Sequence, residues 1–192
     1  MREICQSELL ELLDERLKNA PIRLAIEGGS ASGKTTLAQL LEERYDATVL
    51  HMDDFFLQPH QRTDARLKEP GGNVDRERFL EEVLLPLSTA KPIEYRRFDC
   101  KAKTIEPPIC LFPKRLTVIE GAYSMHPELS HFYDLSVFLD IESERQRARI
   151  LKRNPQTANR FFSEWIPLEQ RYFEQTDAKN RCDLVLIISD NN

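Results

Sequence analysis

Between an apolar run, Ile22 to Glu27 (IRLAIE), and a stretch with leucines at 37, 40 and 41, the chain carries Gly28-Gly29-Ser30-Ala31-Ser32-Gly33-Lys34-Thr35. The run is short and apolar, as buried strands are. Lys34 to Arg44 places its leucines on one face of a helix. A glycine-rich turn leading from strand to helix fits G-x-x-x-x-G-K-[ST], a pattern that wraps phosphate groups. The glycines let several N–H groups point inward, and the helix N-terminus adds its positive dipole end. Lys34 then supplies a mobile charge for the β- and γ-phosphates of a nucleotide, and Thr35 a hydroxyl ligand for Mg²⁺. The nucleotide site read this way runs from Gly28 through Thr36. The plain alternative is a strand-to-helix turn with a surface lysine.

The rest of the chain repeats that alternation, which indicates an α/β class with a parallel sheet covered by helices. Further strands are expected at Thr48 to His51, Leu116 to Glu120, Leu135 to Leu139 and Leu184 to Ile188, five in all. Residues 1–20 read as an amphipathic helix. Arg76 to Leu85, Ser143 to Arg153 and Phe161 to Thr176 read as further helices, the last interrupted near Pro167. Gln58 to Asn73 is polar and rich in Pro and Gly, hence a loop, and Glu106 to Pro113 reads as a turn. At 192 residues, 41% of them hydrophobic, the chain suffices for one core, so a single domain over 1–192 is expected.

Charge narrows the partners. With 32 acidic against 27 basic residues the net charge is −5, which offers no broad attraction to nucleic acid or an anionic membrane. No apolar run approaches the roughly 20 residues that span a bilayer, and the N-terminus lacks a signal-peptide core, so a cytoplasmic location is expected. Cys5, Cys100, Cys110 and Cys182 show no metal or disulfide spacing. The oligomeric state is left open.

Three acidic positions fall where strands should end, the edge at which open α/β sheets bind ligands. Asp53, in His51-Met52-Asp53-Asp54-Phe55-Phe56, is placed to accept the proton of an attacking hydroxyl, with Asp54 turned elsewhere. An Asx-turn or cap is the other reading. Glu120 closes a strand before Gly121 and is placed to hold magnesium's water shell, or else is a solvated strand end. Arg145, Arg149 and Arg153 lie four apart on one helix face. They form either a salt-bridged surface or a lid that neutralises charge on the transferring group.

Together, GGSASGKTT, DDFF, NVDRERF, KPIEYRRFD, VIEGAY and FLDIESERQRARILKR resemble the uridine kinase family and the related nicotinamide riboside kinases, in the same order along Ile22 to about Arg171. The resemblance implies a three-layer P-loop kinase fold with a five-stranded parallel sheet and a helical lid at about residues 154–162. It implies an ATP- and Mg²⁺-dependent phosphotransferase whose small-molecule acceptor is a nucleoside-like alcohol. It assigns Lys34 and Asp53 to catalysis, Thr35 and Glu120 to the metal, Arg153 to the lid, and Asp75 to ribose hydroxyls, although the residues alone read Asp75 as a helix N-cap. Where the family carries a tyrosine and a histidine for the base, this chain has Phe98 and Lys103, with Asp99 retained. The family's E-R-G-R lid is replaced by Asn154 to Arg160. These departures leave phosphoryl transfer intact and open the acceptor to another riboside, a vitamin precursor or another small alcohol; a nucleotide-dependent switch or ATPase is a separate alternative.

Overall fold

The computed structural model describes residues 2–187. In chain order its elements are β1 (Arg2–Ile4), α1 (Gln6–Asn19), β2 (Ile22–Gly28), α2 (Lys34–Tyr45), β3 (Thr48–His51), α3 (Asp64–Lys68), α4 (Arg76–Phe79) and α5 (Leu85–Ser88). There follow β4 (Ile93–Tyr95), β5 (Phe98–Asp99), β6 (Thr104–Ile105), β7 (Ile109–Leu111), β8 (Leu116–Glu120) and β9 (Leu135–Asp140). The chain continues with α6 (Ser143–Arg153), α7 (Ala158–Arg160), α8 (Ile166–Thr176), α9 (Ala178–Arg181) and β10 (Leu184–Ile187).

The main sheet is parallel and six-stranded, in the order β1-β10-β9-β2-β8-β3. The sixth strand corrects the expected five. Arg2–Ile4 pairs alongside β10, and the helix expected from residue 1 starts at Gln6 instead, where the Glu8 carboxylate accepts the Cys5 N–H at 2.9 Å. That reciprocal contact is a capping box, which fixes a helix start more firmly than apolar spacing does. Ile188, expected to end the last strand, lies outside the described residues.

Period-two alternation divides the strands between two cores. Leu24 and Ile26 of β2, Val118 of β8 and Val137 and Leu139 of β9 pack with Leu9 and Leu13 of α1 and Leu37 and Leu41 of α2. Ile119 faces the other side, with Leu50, Phe55, Phe79, Val83 and Tyr172. Helices therefore cover both faces, giving three layers.

Two helices are widened by π-type turns, Leu80–Leu84 before Pro86 and Phe161–Trp165 before Pro167. Proline lacks an N–H and its ring collides with the carbonyl four residues back, and a widened turn relieves both. The first helix thus runs on to Ser88, past its expected end. The expected loop at 58–73 contains a 3₁₀ turn at Pro59–Gln61 as well as α3. The expected turn at 106–113 contains β7, antiparallel to β4, next to a second small ladder of β5 and β6. Strands of two or three residues are too short to leave a pattern in sequence. Among the described residues no helix is long and apolar enough to cross a membrane.

Candidate active site

At the C-terminal end of β2 the chain turns through Gly28 at φ +145° and Gly33 at φ +109°, backbone that favours glycine. A Cβ on Gly28 would lie 2.7 Å from the Leu139 carbonyl oxygen. Lys34 opens α2 and folds back, its Nζ donating to the carbonyls of Gly28 (2.8 Å) and Gly29 (2.9 Å). The Ser32 hydroxyl is buried and finds no hydrogen-bond partner among the described residues. Thr36 is exposed one residue beyond Thr35.

Glu120 ends β8 opposite His51 of β3, and β8 also pairs with β2. That register brings three strand ends together. The Thr35 hydroxyl lies 3.2 Å from Glu120 Oε1, and His51 Nδ1 lies 2.6 Å from the same oxygen. The hydrogen bond to Glu120 raises the His51 pKa above its ordinary value. Sequence reading overlooked His51, because a histidine at a strand end carries no motif.

Asp53 sits in a 3₁₀ turn, Met52–Phe55, directly after β3. It is solvent-accessible but recessed, and the surrounding protein raises its carboxyl pKa. Lys34 opposes that shift, and Glu120 and Asp54 reinforce it, so Asp53 lies within electrostatic reach of all three charges. Asp54 is turned into the wall, accepting the Tyr95 hydroxyl at 2.6 Å with Arg97 Nε at 3.4 Å.

Across the cleft Asp75 caps α4, accepting the Arg78 N–H at 3.1 Å. Its other oxygen accepts Gln61 Nε2 at 2.8 Å, and the residue is buried. Arg78 ties the walls together, donating to the carbonyls of Arg96 (2.7 Å) and Asp54 (3.2 Å) and lying 4.0 Å over the Phe55 ring. Phe98 is buried in β5. Asp99 accepts the N–H groups of Lys101 (2.6 Å) and Ala102 (3.0 Å), which shapes the hairpin turn. Lys103, at φ +58°, is exposed on that turn.

The arginine face of α6 is split. Arg149 Nη1 donates to the carbonyls of Ala31 and Ser32, both at 3.2 Å, so it grips the phosphate loop from behind. Arg153 is exposed at the end of the helix. Arg160 pairs with Glu164 at 3.1 Å and lies 5.0 Å over the Trp165 ring.

Beneath the loop sits Glu27, which no motif singles out. It is fully buried and accepts the N–H groups of Gly28 (2.9 Å), Tyr123 (3.1 Å) and Met125 (2.9 Å) and the Tyr172 hydroxyl (3.0 Å). Burial pushes its carboxyl up to about 7 against those four donors.

A nucleotide and Mg²⁺ fit these residues. The unpartnered Ser32 hydroxyl and the glycine-only turn suit a phosphate, and a threonine hydroxyl beside a carboxylate is a hard oxygen pair. Among the described residues no three His, Cys, Asp or Glu side chains could hold a metal together. Mg²⁺ bound with a nucleotide uses one or two protein ligands plus phosphate and water.

Known proteins converge on the same class. A uridine kinase of Latilactobacillus sakei is 24% identical over 195 residues, covering 91% of this chain and 89% of that protein. One from Oceanobacillus iheyensis is 26% identical over 188 residues, covering 88% and 87%. Among solved structures, a possible uridine kinase from Bacillus stearothermophilus superposes with a TM-score of 0.66 at 23% identity, over 93% of this chain and 99% of that one. D-glycerate 3-kinase from Cryptococcus neoformans does so with 0.59 at 15% identity, over 95% and 93%. Residues 24–161, well over half of the chain, match the Phosphoribulokinase / Uridine kinase family, and the chain belongs to that family of P-loop kinases.

Proposed function

We propose that the protein transfers the γ-phosphoryl group of ATP, bound with Mg²⁺, to a hydroxyl of a nucleoside-like small molecule. The observation that carries this reading is that Lys34 and Thr35, Asp53 and Glu120 come together from three separate places in the sequence. Bound Mg-ATP supplies the phosphoryl group and much of the charge neutralisation. Lys34 swings from the loop carbonyls onto the phosphates, and Thr35 and Glu120 hold the metal and its water. Asp53 accepts the proton of the acceptor hydroxyl, and its raised carboxyl pKa makes it a stronger base than a solvated aspartate. Residues 154–162 act as the lid, with Arg153 at its root, and Phe98, Asp99 and Lys103 line the acceptor side.

A second acceptor class is favoured by Asp75, which is buried and has Arg78 and Gln61 donating to its two oxygens. That arrangement suits a small alcohol not held through a vicinal diol. The whole reading is tested by incubating the protein with Mg-ATP and a pool of ribosides, deoxyribosides and small alcohols, and searching for products heavier by one phosphoryl group. ATP consumption that no acceptor stimulates would leave a nucleotide-dependent switch in its place.

A further inference from the structure

Ser30, the third residue of the phosphate loop, is held at every polar atom from outside the motif. Its N–H donates to Glu169 Oε2 at 2.8 Å and its hydroxyl to Glu169 Oε1 at 2.5 Å. Its carbonyl accepts Gln146 Nε2 at 2.8 Å. Glu169 is buried on α8, and Gln146 stands on α6 one turn before Arg149. The two helices lie on either side of residues 154–162 in the chain, so the loop residue is fastened to both of them.

In a planar trans peptide the carbonyl of one residue and the N–H of the next point in opposite directions. Gln146 draws the Ser30 carbonyl outward, and Arg149 draws those of Ala31 and Ser32. The N–H groups of Ala31 and Gly33 are thereby turned to the opposite side, where an anion is received. Ala31 adopts φ +59°, a left-handed conformation that costs free energy for a residue with a Cβ. Alternation of right- and left-handed residues is the backbone of an anion nest. The flanking hydrogen bonds hold the loop in that shape. Gly29 leaves room for them, since a Cβ there would lie 2.9 Å from Gln146 Nε2 and 3.5 Å from Glu169 Oε2.

We propose that Glu169 and Gln146 are positioning residues that preform the phosphate loop and tie it to α6 and α8. This rests on the loop binding ATP, as argued above. The clamp makes nucleotide affinity depend on side chains more than 100 positions away in sequence.

The test uses Glu169→Gln and Gln146→Ala in the full chain. A glutamine offers Ser30 one acceptor and turns an NH₂ toward the other donor, so Mg-ATP affinity is expected to fall roughly ten- to a hundredfold, as for a lost charge-assisted bond. Gln146→Ala loses a neutral bond and is expected to weaken binding roughly two- to tenfold. In both, KM for ATP rises while kcat at saturating ATP changes little, and amide exchange at Ala31 and Gly33 quickens in the nucleotide-free protein. Tighter ATP binding by Glu169→Gln would overturn the proposal, showing the carboxylate to be a competitor for the phosphate position. Unchanged affinity and exchange would overturn it equally. If the wild type bound no nucleotide, the proposed function would fail, while exchange without nucleotide would still decide the clamp. Should Glu169→Gln fail to fold, Gln146→Ala carries both measurements.

Discussion

At the phosphate end of the site, residues 28–35 follow one another along the chain, and the groups offered to a phosphate are mostly backbone, braced from outside by Glu169, Gln146 and Arg149. The acceptor end is assembled from the Met52–Phe55 turn, the 58–73 segment, the start of α4 and two small ladders. Side chains bind these pieces together, with Arg78 bridging Asp54 and Arg96, and Gln61 bridging Asp75 and Gln58. A backbone-built site tolerates only the residues its dihedrals allow. A side-chain-built site can be rewired by one substitution, so the first fixes the chemistry and the second can change the acceptor.

The largest expected effect lies at the phosphate end. Lys34→Ala should lower turnover by roughly 10³-fold or more, the scale of losing a charge that faces the transferring group. Among the described residues its Nζ hydrogen-bonds only the carbonyls of Gly28 and Gly29, so the melting temperature should hardly move. Steady-state ATP and acceptor kinetics alongside a thermal melt check both, and near-normal turnover would detach the loop from catalysis.

Asp53→Asn comes next, with a loss of about 10² to 10⁴-fold in kcat and little change in nucleotide affinity. Asp54→Asn should do the reverse. Its carboxylate holds Tyr95 and Arg97, so its loss should cost about 1 to 3 kcal/mol of stability and leave turnover largely intact. Denaturant unfolding and kinetics on the pair separate the two roles, and equal kinetic losses would deny Asp53 its assignment.

The same contrast explains what the sequence reveals. Strand, glycine turn and helix are contiguous, so the loop, the five longer strands and the doubly covered sheet can be read from spacing alone. Asp53 and Glu120 stand out in sequence as candidates because one follows a strand in a turn and the other ends a strand before a glycine. Glu27 does not, since an isolated glutamate in an apolar run gives no hint of four donors arriving from Gly28, Tyr123, Met125 and Tyr172. Gln61 and Arg78 are silent for the same reason. Their partners lie up to 24 positions away, across turns too short to predict.

Glu27 gives a pH test of how the phosphate end is supported from below. Its carboxyl is raised from 4.5 to about 7 in the folded protein. The folded state therefore binds the proton more tightly than the unfolded chain, and the associated stability is complete below about 4.5 and lost as pH rises through 7. At 1.36 kcal/mol per unit the loss is at most about 3 kcal/mol. Melting curves of wild type and Glu27→Gln across pH 4 to 8 should converge or diverge over that window, because only the wild type carries the group. Parallel curves would mean that the four donors keep Glu27 ionised throughout.

The smallest effect probes the acceptor end. Gln61 reaches Asp75 with its amide already oriented, since Gln61 Oε1 accepts the Gln58 N–H at 2.8 Å while Nε2 donates to the carboxylate at 2.8 Å. Asp75 is buried, with Gln61 over one oxygen and the Arg78 N–H on the other, so it meets a sugar diol only if Gln61 withdraws. A closed pair predicts that the wild type distinguishes weakly between a riboside and its 2′-deoxy analogue. Gln61→Ala frees one carboxylate oxygen, and a neutral hydrogen bond regained there is worth about 0.5 to 1.5 kcal/mol. The ratio of kcat/KM for riboside over deoxyriboside should then rise by roughly two- to tenfold, with the capping bond to Arg78 preserving the fold. A wild type that already rejects the deoxyriboside, with a ratio unmoved by Gln61→Ala, would show that the amide steps aside on binding and that Asp75 reads the diol after all.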